Sequence, residues 1–417
     1  MNSPYVPILF FLASVVELMG PCPAQTTWIV DPDNSPGTQF TDLQPAVNAA
    51  SPGDVIKILW WNVNSTRRCS GAVIDKPLKI IGVSNLGAPG YPGTAIILGE
   101  LEIRNIPSGS DVVLANLALG DPSAFGNPAG IYAHNVAGHL YLSQTSYYGD
   151  DNPGETCLFE DCADVVIHAG ILEGPGVTIV RSQAHISLSY LHCFDVQFPP
   201  PLGPPTTSEG LVVEDSDVTL VDCTVQGADY QALPPGSYPA RMGAIVRSGV
   251  LHIGPACQMW GGYFQSGIEQ YGFGTTGNGQ VFFDYRAATT NGWSVGTTPI
   301  FEHAPAVEHT LTVQNEPYVA RVFGEHNAFT ILCAGTSLRP GLPTPFGDLG
   351  LDPSSFFMIG VGMLSNTNGS LQFNFFCPNV VPIDFMFAFQ TANLNPDGSI
   401  VLAPPDPFLV VREAGHL

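Results

Sequence analysis

The sequence predicts an all-β chain in which a long β-solenoid is followed by a small antiparallel β-sandwich. Three observations carry that expectation. Short tracts of alternating apolar residues recur between Asp111 and Gly254, each closed by Gly or Asp. A short amphipathic helix precedes them, where a solenoid needs a lid. After Phe301 the texture changes to strand-length runs separated by Gly, Pro and Asn turns.

The helix comes first. Leu43, Val47 and Ala50 fall on one face at helical spacing, and Ser51-Pro-Gly-Asp54 cannot continue the helix. A terminal coil has no neighbour beneath it and would expose both apolar core and unpaired strand edge, so a polar-backed helix closes the end. Val55-Ile-Lys-Ile-Leu59 and Leu78-Lys-Ile-Ile81 then read as the first core strands. The segment 40–58, FTDLQPAVNAASPGDVIKI, with Gly71-Ala-Val-Ile-Asp-Lys-Pro-Leu-Lys-Ile-Ile-Gly82, resembles the opening of secreted right-handed parallel β-helix proteins of the pectin-lyase-like superfamily. The resemblance implies a right-handed parallel β-helix, expected over residues 25–305. It is architectural and points to no substrate.

The middle of the chain repeats Asp111-Val-Val-Leu, Gly138-His-Leu-Tyr-Leu, Asp164-Val-Val-Ile, Ala184-His-Ile-Ser-Leu, Asp217-Val-Thr-Leu and Gly249-Val-Leu-His-Ile. Their starts differ by 27, 26, 20, 33 and 32 residues. Those intervals suit coils of about 20 residues lengthened by loop insertions. Phe198-Pro-Pro-Pro-Leu-Gly-Pro-Pro205 cannot join a central strand, because proline lacks the ladder donor. The proline-rich stretch 231–239 is a second such excursion. Both are expected as surface loops.

From residue 306 to 417 the runs Phe329-Thr-Ile-Leu-Cys333, Phe356-Phe-Met-Ile-Gly360, Ser370-Leu-Gln-Phe-Asn374 and Phe408-Leu-Val-Val411 read as strands of a sandwich. Leu349-Gly-Leu-Asp-Pro353, a hairpin over 363–372 and Phe387-Ala-Phe-Gln-Thr-Ala392 are similar to a small C-terminal module that ends many exported proteins of environmental bacteria.

Residues 1–24 have the form of a secretory signal. Pro7-Ile-Leu-Phe-Phe-Leu-Ala-Ser-Val-Val16 is a short apolar run, and Cys22-Pro-Ala24 supplies small residues before a cut. The run is too short to span a bilayer, and no second hydrophobic span lies near the C-terminus. The mature chain is therefore expected outside the cytoplasm, secreted or at the cell surface. With 13 Lys plus Arg against 36 Asp plus Glu, the formal net charge is -23. Nucleic acid is a poor partner for such a surface, since its binding rests on basic groups that displace counterions. The same repulsion counts against acidic glycans unless calcium bridges the contact.

Nine cysteines become eight once a signal is removed, an even number in an exported chain. Cys333 with Cys377 is the favoured disulfide, and Cys157 with Cys162 and Cys193 with Cys223 are further pairs. Cys69 and Cys257 lie far apart and read as buried thiols.

Residues that could carry chemistry are few. Sugar-cleaving β-helix hydrolases use acidic residues in a Gly-Asp-Asp context with Gly-His-Gly and Arg-Ile-Lys elsewhere. Here Gly149-Asp-Asp151 occurs without either companion. Asp150, Asp151, Glu160, Asp161 and Asp164 form an acidic cluster near Arg181, which resembles calcium-dependent lyases that pair clustered carboxylates with a proton-taking Arg or Lys. Asp150, Asp151, Asp161, Asp164 and Arg181 are the catalytic candidates under an enzyme reading, and calcium enters only there. No cofactor or metal site is otherwise expected, and the histidines are scattered. Trp260, Tyr263 and Trp293 lie in a run of aromatics interleaved with glycine, where faces could stack on sugar rings or plug the last coils. The sequence thus points to a non-catalytic binding or surface-structure protein contacting polysaccharide or an envelope protein. A polysaccharide lyase or glycosidase is the rival, and the sequence leaves the oligomeric state open.

Overall fold

The computed structural model describes residues 25–60, 68–84, 95–120, 129–148, 157–174, 176–193, 209–228, 242–262, 271–289, 292, 296, 298–310, 317–377 and 386–409. The chain is a parallel β-helix followed by small antiparallel sheets, and α1 (Leu43–Ala49) is the helix that closes its first coil. The export signal expected at 1–24 and both proline-rich insertions lie outside the described residues.

The lid works as its sequence implies. Leu43, Ala46 and Val47 face the core, and Asp42 caps the first turn by accepting from Leu43 N at 2.9 Å. Its outer face also ends the sheet. Gln44 Oε1 accepts from Val73 N at 2.7 Å and its amide reaches Val73 O at 3.4 Å, taking the place of a neighbouring strand on Cys69–Ile74. Lys76 Nζ donates to Val47 O and Ala50 O, satisfying carbonyls at the helix end.

The column is a 24-stranded sheet of parallel ladders with three lateral faces. On the first face, Asp111–Ala115, the end of Ala129–Ser143, the end of Cys157–His168, Gln183–Ser187, Ser216–Val221 and Gly249–Ile253 stack in register. These are the tracts legible in the sequence. On the second face lie Ser146–Tyr148, Ile171–Gly174, Tyr190–Cys193, Thr224–Gln226 and Gln258–Trp260. The third carries the start of Cys157–His168, Val177–Val180, Leu211–Glu214, Ala244–Val246 and Phe273–Thr275. The period is irregular because insertions collect between the second and third faces. In the shortest coil, Cys162 N meets Ser182 Oγ 20 residues on, whereas Ser182 N meets Ser216 Oγ 34 residues on. Gly176 allows the short version: its φ is +98°, and a Cβ there would sit 2.2 Å from Glu209 O.

Two columns of left-handed residues make the other corners. Asn135, Asp161, Arg181 and Asp215 turn the chain from the third face to the first; Asn116, Gln144, Ala169, Leu188 and Asp222 turn it from the first to the second. Asn and Asp tolerate this conformation, and Asn116 shows the further use, donating from Nδ2 to Gly82 O of the preceding coil at 2.8 Å.

The first face is apolar on both sides. Inward residues such as Val112, Leu140, Val165, Ile186 and Leu220 fill the column, while Val113, Ala115, Tyr141, Val166 and Val221 point outward and are also buried. The C-terminal sheets cover this face: Met386 packs on the patch that includes Val113 and Val166, and Ala306 and Phe323 pack on Val221. The parallel ladder ends with Ile300–Glu302, and antiparallel pairing begins at Ala306–His309. A three-stranded sheet of Ala306–His309, Pro317–Phe323 and Ser370–Phe376 faces a larger one built on Phe329–Gly335, Phe357–Met363 and Met386–Leu394. Val307, Ala320, Val322, Leu332, Ala334 and Phe389 fill the space between them. The expected hairpin over 363–372 is instead a crossing, since Phe357–Met363 and Ser370–Phe376 belong to different sheets.

The expected Cys333–Cys377 disulfide is corrected: both are free thiols, and no disulfide is present among the described residues. Cys333 alternates with buried Leu332 and Ala334 and so projects from the outer face, whereas Cys377 lies in the core between the sheets. Side chains on opposite faces of a sheet cannot bond. Cys162 and Cys223 do not join the other expected pairs either. Each donates its thiol to carbonyls at a corner, Cys162 to Glu160 O and Cys223 to Ile186 O. Cys69 and Cys257 are buried, with desolvation pushing the Cys69 thiol up to about 12.

Candidate functional site

The acidic cluster divides across a corner. Asp150 and Asp151 lie outside the described residues. Arg181 and Asp161 occupy successive positions of one left-handed column, with φ of +46° and +53°, so their side chains meet one coil apart. Arg181 Nε donates to Asp161 Oδ1 at 2.7 Å and Nη2 to Asp161 Oδ2 at 2.9 Å and Glu160 Oε1 at 2.6 Å. This is a two-pronged contact of a guanidinium with a carboxylate. The bonds from Asp161 and Glu160 raise the Arg181 pKa further, the reverse of what a proton-abstracting arginine requires. Asp164 sits on the first face, buried beside His139 Nδ1 at 3.2 Å. Glu160, Asp161 and Arg181 therefore act together as a corner brace, apart from Asp164.

Of the sugar-stacking candidates, Tyr263 and Trp293 lie outside the described residues, and Trp260 is half-buried at the end of Gln258–Trp260. The rest of that aromatic run separates by the alternation of its strands. Phe273 and Phe283 stack in the core with centroids 5.4 Å apart, the end-plug role. Phe282 turns outward and stacks on His252. Tyr285, just past the strand Gln280–Asp284, is 60% exposed.

Tyr285 opens a groove of about 400 Å³ where the last coil meets the C-terminal sheets. Its ring lies 5.5 Å from Phe301 at an interplanar angle of 27°, and 5.0 Å from His303. Phe301 is 38% exposed, so the stacked pair forms an apolar ledge that is partly open to solvent. Opposite it stand Gly324 and Glu325 from the turn after Pro317–Phe323, with Asn393, Asn395 and Val401 from the larger sheet. Glu302 and Pro305 complete the lining. His303 Nδ1 is shielded from water and has no hydrogen-bond partner among the described residues.

One arginine sets the shape of this groove. Arg286 pairs with buried Asp284 through Nη2 at 2.6 Å and Nε at 2.8 Å. Its remaining hydrogens go to Ala304 O, Gly324 O and Gly369 O at 2.9, 3.1 and 2.9 Å, so a single guanidinium joins the last coil to the sandwich. Asp284 in return accepts from Ala304 N at 2.7 Å.

A second polar cluster lies in the seam itself. His168, His185 and Ser187 project from the first face, and His309 and Asp406 come from the C-terminal sheets; all are buried. His309 Nδ1 is 2.7 Å from Asp406 Oδ2, and Ser187 Oγ donates to Asp406 Oδ1 at 3.2 Å. Ser187 therefore accepts from His168 Nδ1 at 3.0 Å, and His185 Nε2 lies 3.4 Å from the same carboxylate. Burial pushes the Asp406 carboxyl up, but the charges and bonds of His309 and His185 outweigh it and hold the group below the usual range. Donor atoms of His168, His309 and Asp406 lie within 4.8 Å of one another, a set that suits a transition metal by chemistry. Its geometry does not. The two imidazoles stack 4.4 Å apart with planes 2° from parallel, and an ion must lie in the plane of every ring that ligates it. Two stacked parallel planes share no point. The cluster fits a charge-paired stitch between the two parts of the fold. Nothing in the sequence signals it, because Ser187 and Asp406 are 219 positions apart.

No protein-family model matches this chain, and no curated protein matches it. Among solved structures it is similar to the receptor-binding protein of bacteriophage Det7, a podoviral tailspike in a myovirus, at 10% identity over 94% of this chain and 99% of that one, with a TM-score of 0.24. No helix among the described residues is long and apolar enough to cross a membrane.

Proposed function

We propose that this chain is an exported, non-catalytic binding or surface-structure protein that contacts polysaccharide through the groove between its last coil and its sandwich. In this reading residues 1–24 are the export signal, 25–305 the β-helix and 306–417 the sandwich. The observation that carries it is the Tyr285–Phe301 ledge, a stacked aromatic pair partly open to solvent beside carboxylates and amides. Sugar rings present flat C–H faces to such a surface and hydroxyls to the polar groups around it. The enzyme reading has less support, since Arg181 is held by two carboxylates and Asp164 lies on another face.

Titration calorimetry against a panel of neutral and charged glycans tests the proposal. Binding by the mature chain should be lost on Tyr285→Ala, with the melting temperature kept because this side chain is mostly in solvent. Silence across the panel, or binding that ignores Tyr285→Ala, removes the groove from the account. Release of reducing or unsaturated sugar ends would replace it with an enzyme.

A further inference from the structure

We propose that the groove takes polysaccharide whose sugars carry protonated amino groups, chains of the glucosamine type, in preference to neutral or acidic ones. This deepens the glycan reading above and rests on it.

The fixed charge lining the groove has one sign, with Glu302 also 3.8 Å from the imidazole of His252. Glu302 and Glu325 line the groove, and no lysine or arginine does so among the described residues. The nearest fixed cation, Arg286, is spent on Asp284 and on three carbonyls, and its side chain is only 13% exposed. An ammonium ion entering the groove thus meets carboxylates without a competing guanidinium. The exposed surface of Tyr285 adds to this preference, because an aromatic face carries the negative lobe of the ring quadrupole and attracts cations. At long range the net charge of -23 draws a polycation toward the chain and repels a polyanion. An exposed aromatic pair also favours a chain of pyranose rings over a basic peptide, whose charged side chains present no apolar ring face. Asn395, half-buried at the rim, offers an amide to hydroxyls.

The test compares a short oligomer of β-linked glucosamine with its N-acetylated counterpart, the same backbone without the charge. Calorimetry on the mature chain at low salt should show the amino form binding about tenfold more tightly, the sum expected of two exposed carboxylate contacts. Added salt should narrow that gap by screening. Glu302→Gln combined with Glu325→Gln should bring the two oligomers to similar affinity, and Tyr285→Ala should remove both. Equal affinity of the wild-type chain for the two oligomers overturns the amino-sugar preference while leaving a glycan groove in place. Binding of neither, with silence across the wider panel, overturns the glycan reading as well. Polylysine that binds as tightly and competes for Tyr285 would make the ligand a basic peptide and overturn the proposal.

Discussion

His168 stands at the seam with its ring kept neutral by burial and by its electrostatic interaction with the neighbouring His309, which together depress its pKa to about 3. In the unfolded chain the same imidazole titrates near 6.5. Between those values the unfolded state binds a proton that the folded state refuses, so stability is fully present above about 6.5 and declines as the pH falls toward 3. The expected loss is on the order of a few kcal/mol, concentrated in the contact between the first face and the sandwich. Thermal unfolding followed from pH 7 to pH 4 should therefore show a falling midpoint, and His168→Leu should flatten that slope. A wild-type midpoint that holds steady across the range would show that His168 protonates without cost.

Each coil faces a common difficulty at its corners, where the backbone turns and the ladder of amide bonds is interrupted. Hydroxyl groups fill the gap. Ser182 Oγ accepts from Cys162 N of the coil before at 2.9 Å and donates to Val180 O at 2.7 Å, and Ser216 Oγ accepts from Ser182 N at 3.0 Å. Ser189 repeats the pattern at the other corner, accepting from Gly170 N at 3.1 Å. Removing one hydroxyl leaves a buried N–H without a partner, which costs about 1–3 kcal/mol. Ser182→Ala should lower stability by that amount in chemical denaturation, while glycan binding at the distant groove stays as it was. A Ser182→Ala variant as stable as the wild type would mean that water or the relaxed backbone replaces the bond. The strands themselves were legible from alternation along Asp111-Val-Val-Leu and its repeats, because inward and outward residues of a strand differ at a period of two. The serines were not legible. A serine between two strands reads as an ordinary turn until the coil above it is known.

Across the molecule, the sandwich is a cover as well as an appendage. Val113, Ala115, Tyr141, Val166 and Val221 point out from the first face into buried contacts, and a contiguous apolar surface of that kind is a liability when bare. A fragment ending at residue 305 should therefore associate or precipitate in size-exclusion chromatography, whereas the chain with its C-terminal sheets should not. A monomeric, soluble fragment would show that the column tolerates an open first face. The same docking creates the groove, since Tyr285 and Phe301 come from the last coil while Glu325 and Asn395 come from the sandwich.

The sequence by itself determined the winding of this protein: the capping helix, the strand tracts of the first face, and the change to antiparallel sheets near residue 305 all follow from local periodicity and turn chemistry. It also placed the aromatic run from which Tyr285 emerges, though it favoured Trp260, Tyr263 and Trp293. Only the tertiary structure decided that Arg181 is braced, that Cys333 and Cys377 face opposite sides of a sheet, and that Ser187 meets Asp406. Periodicity reports which way a side chain points within its own strand. What it then touches depends on which strand or sheet lies beyond, and that is set by contacts between residues as far apart as Ser187 and Asp406.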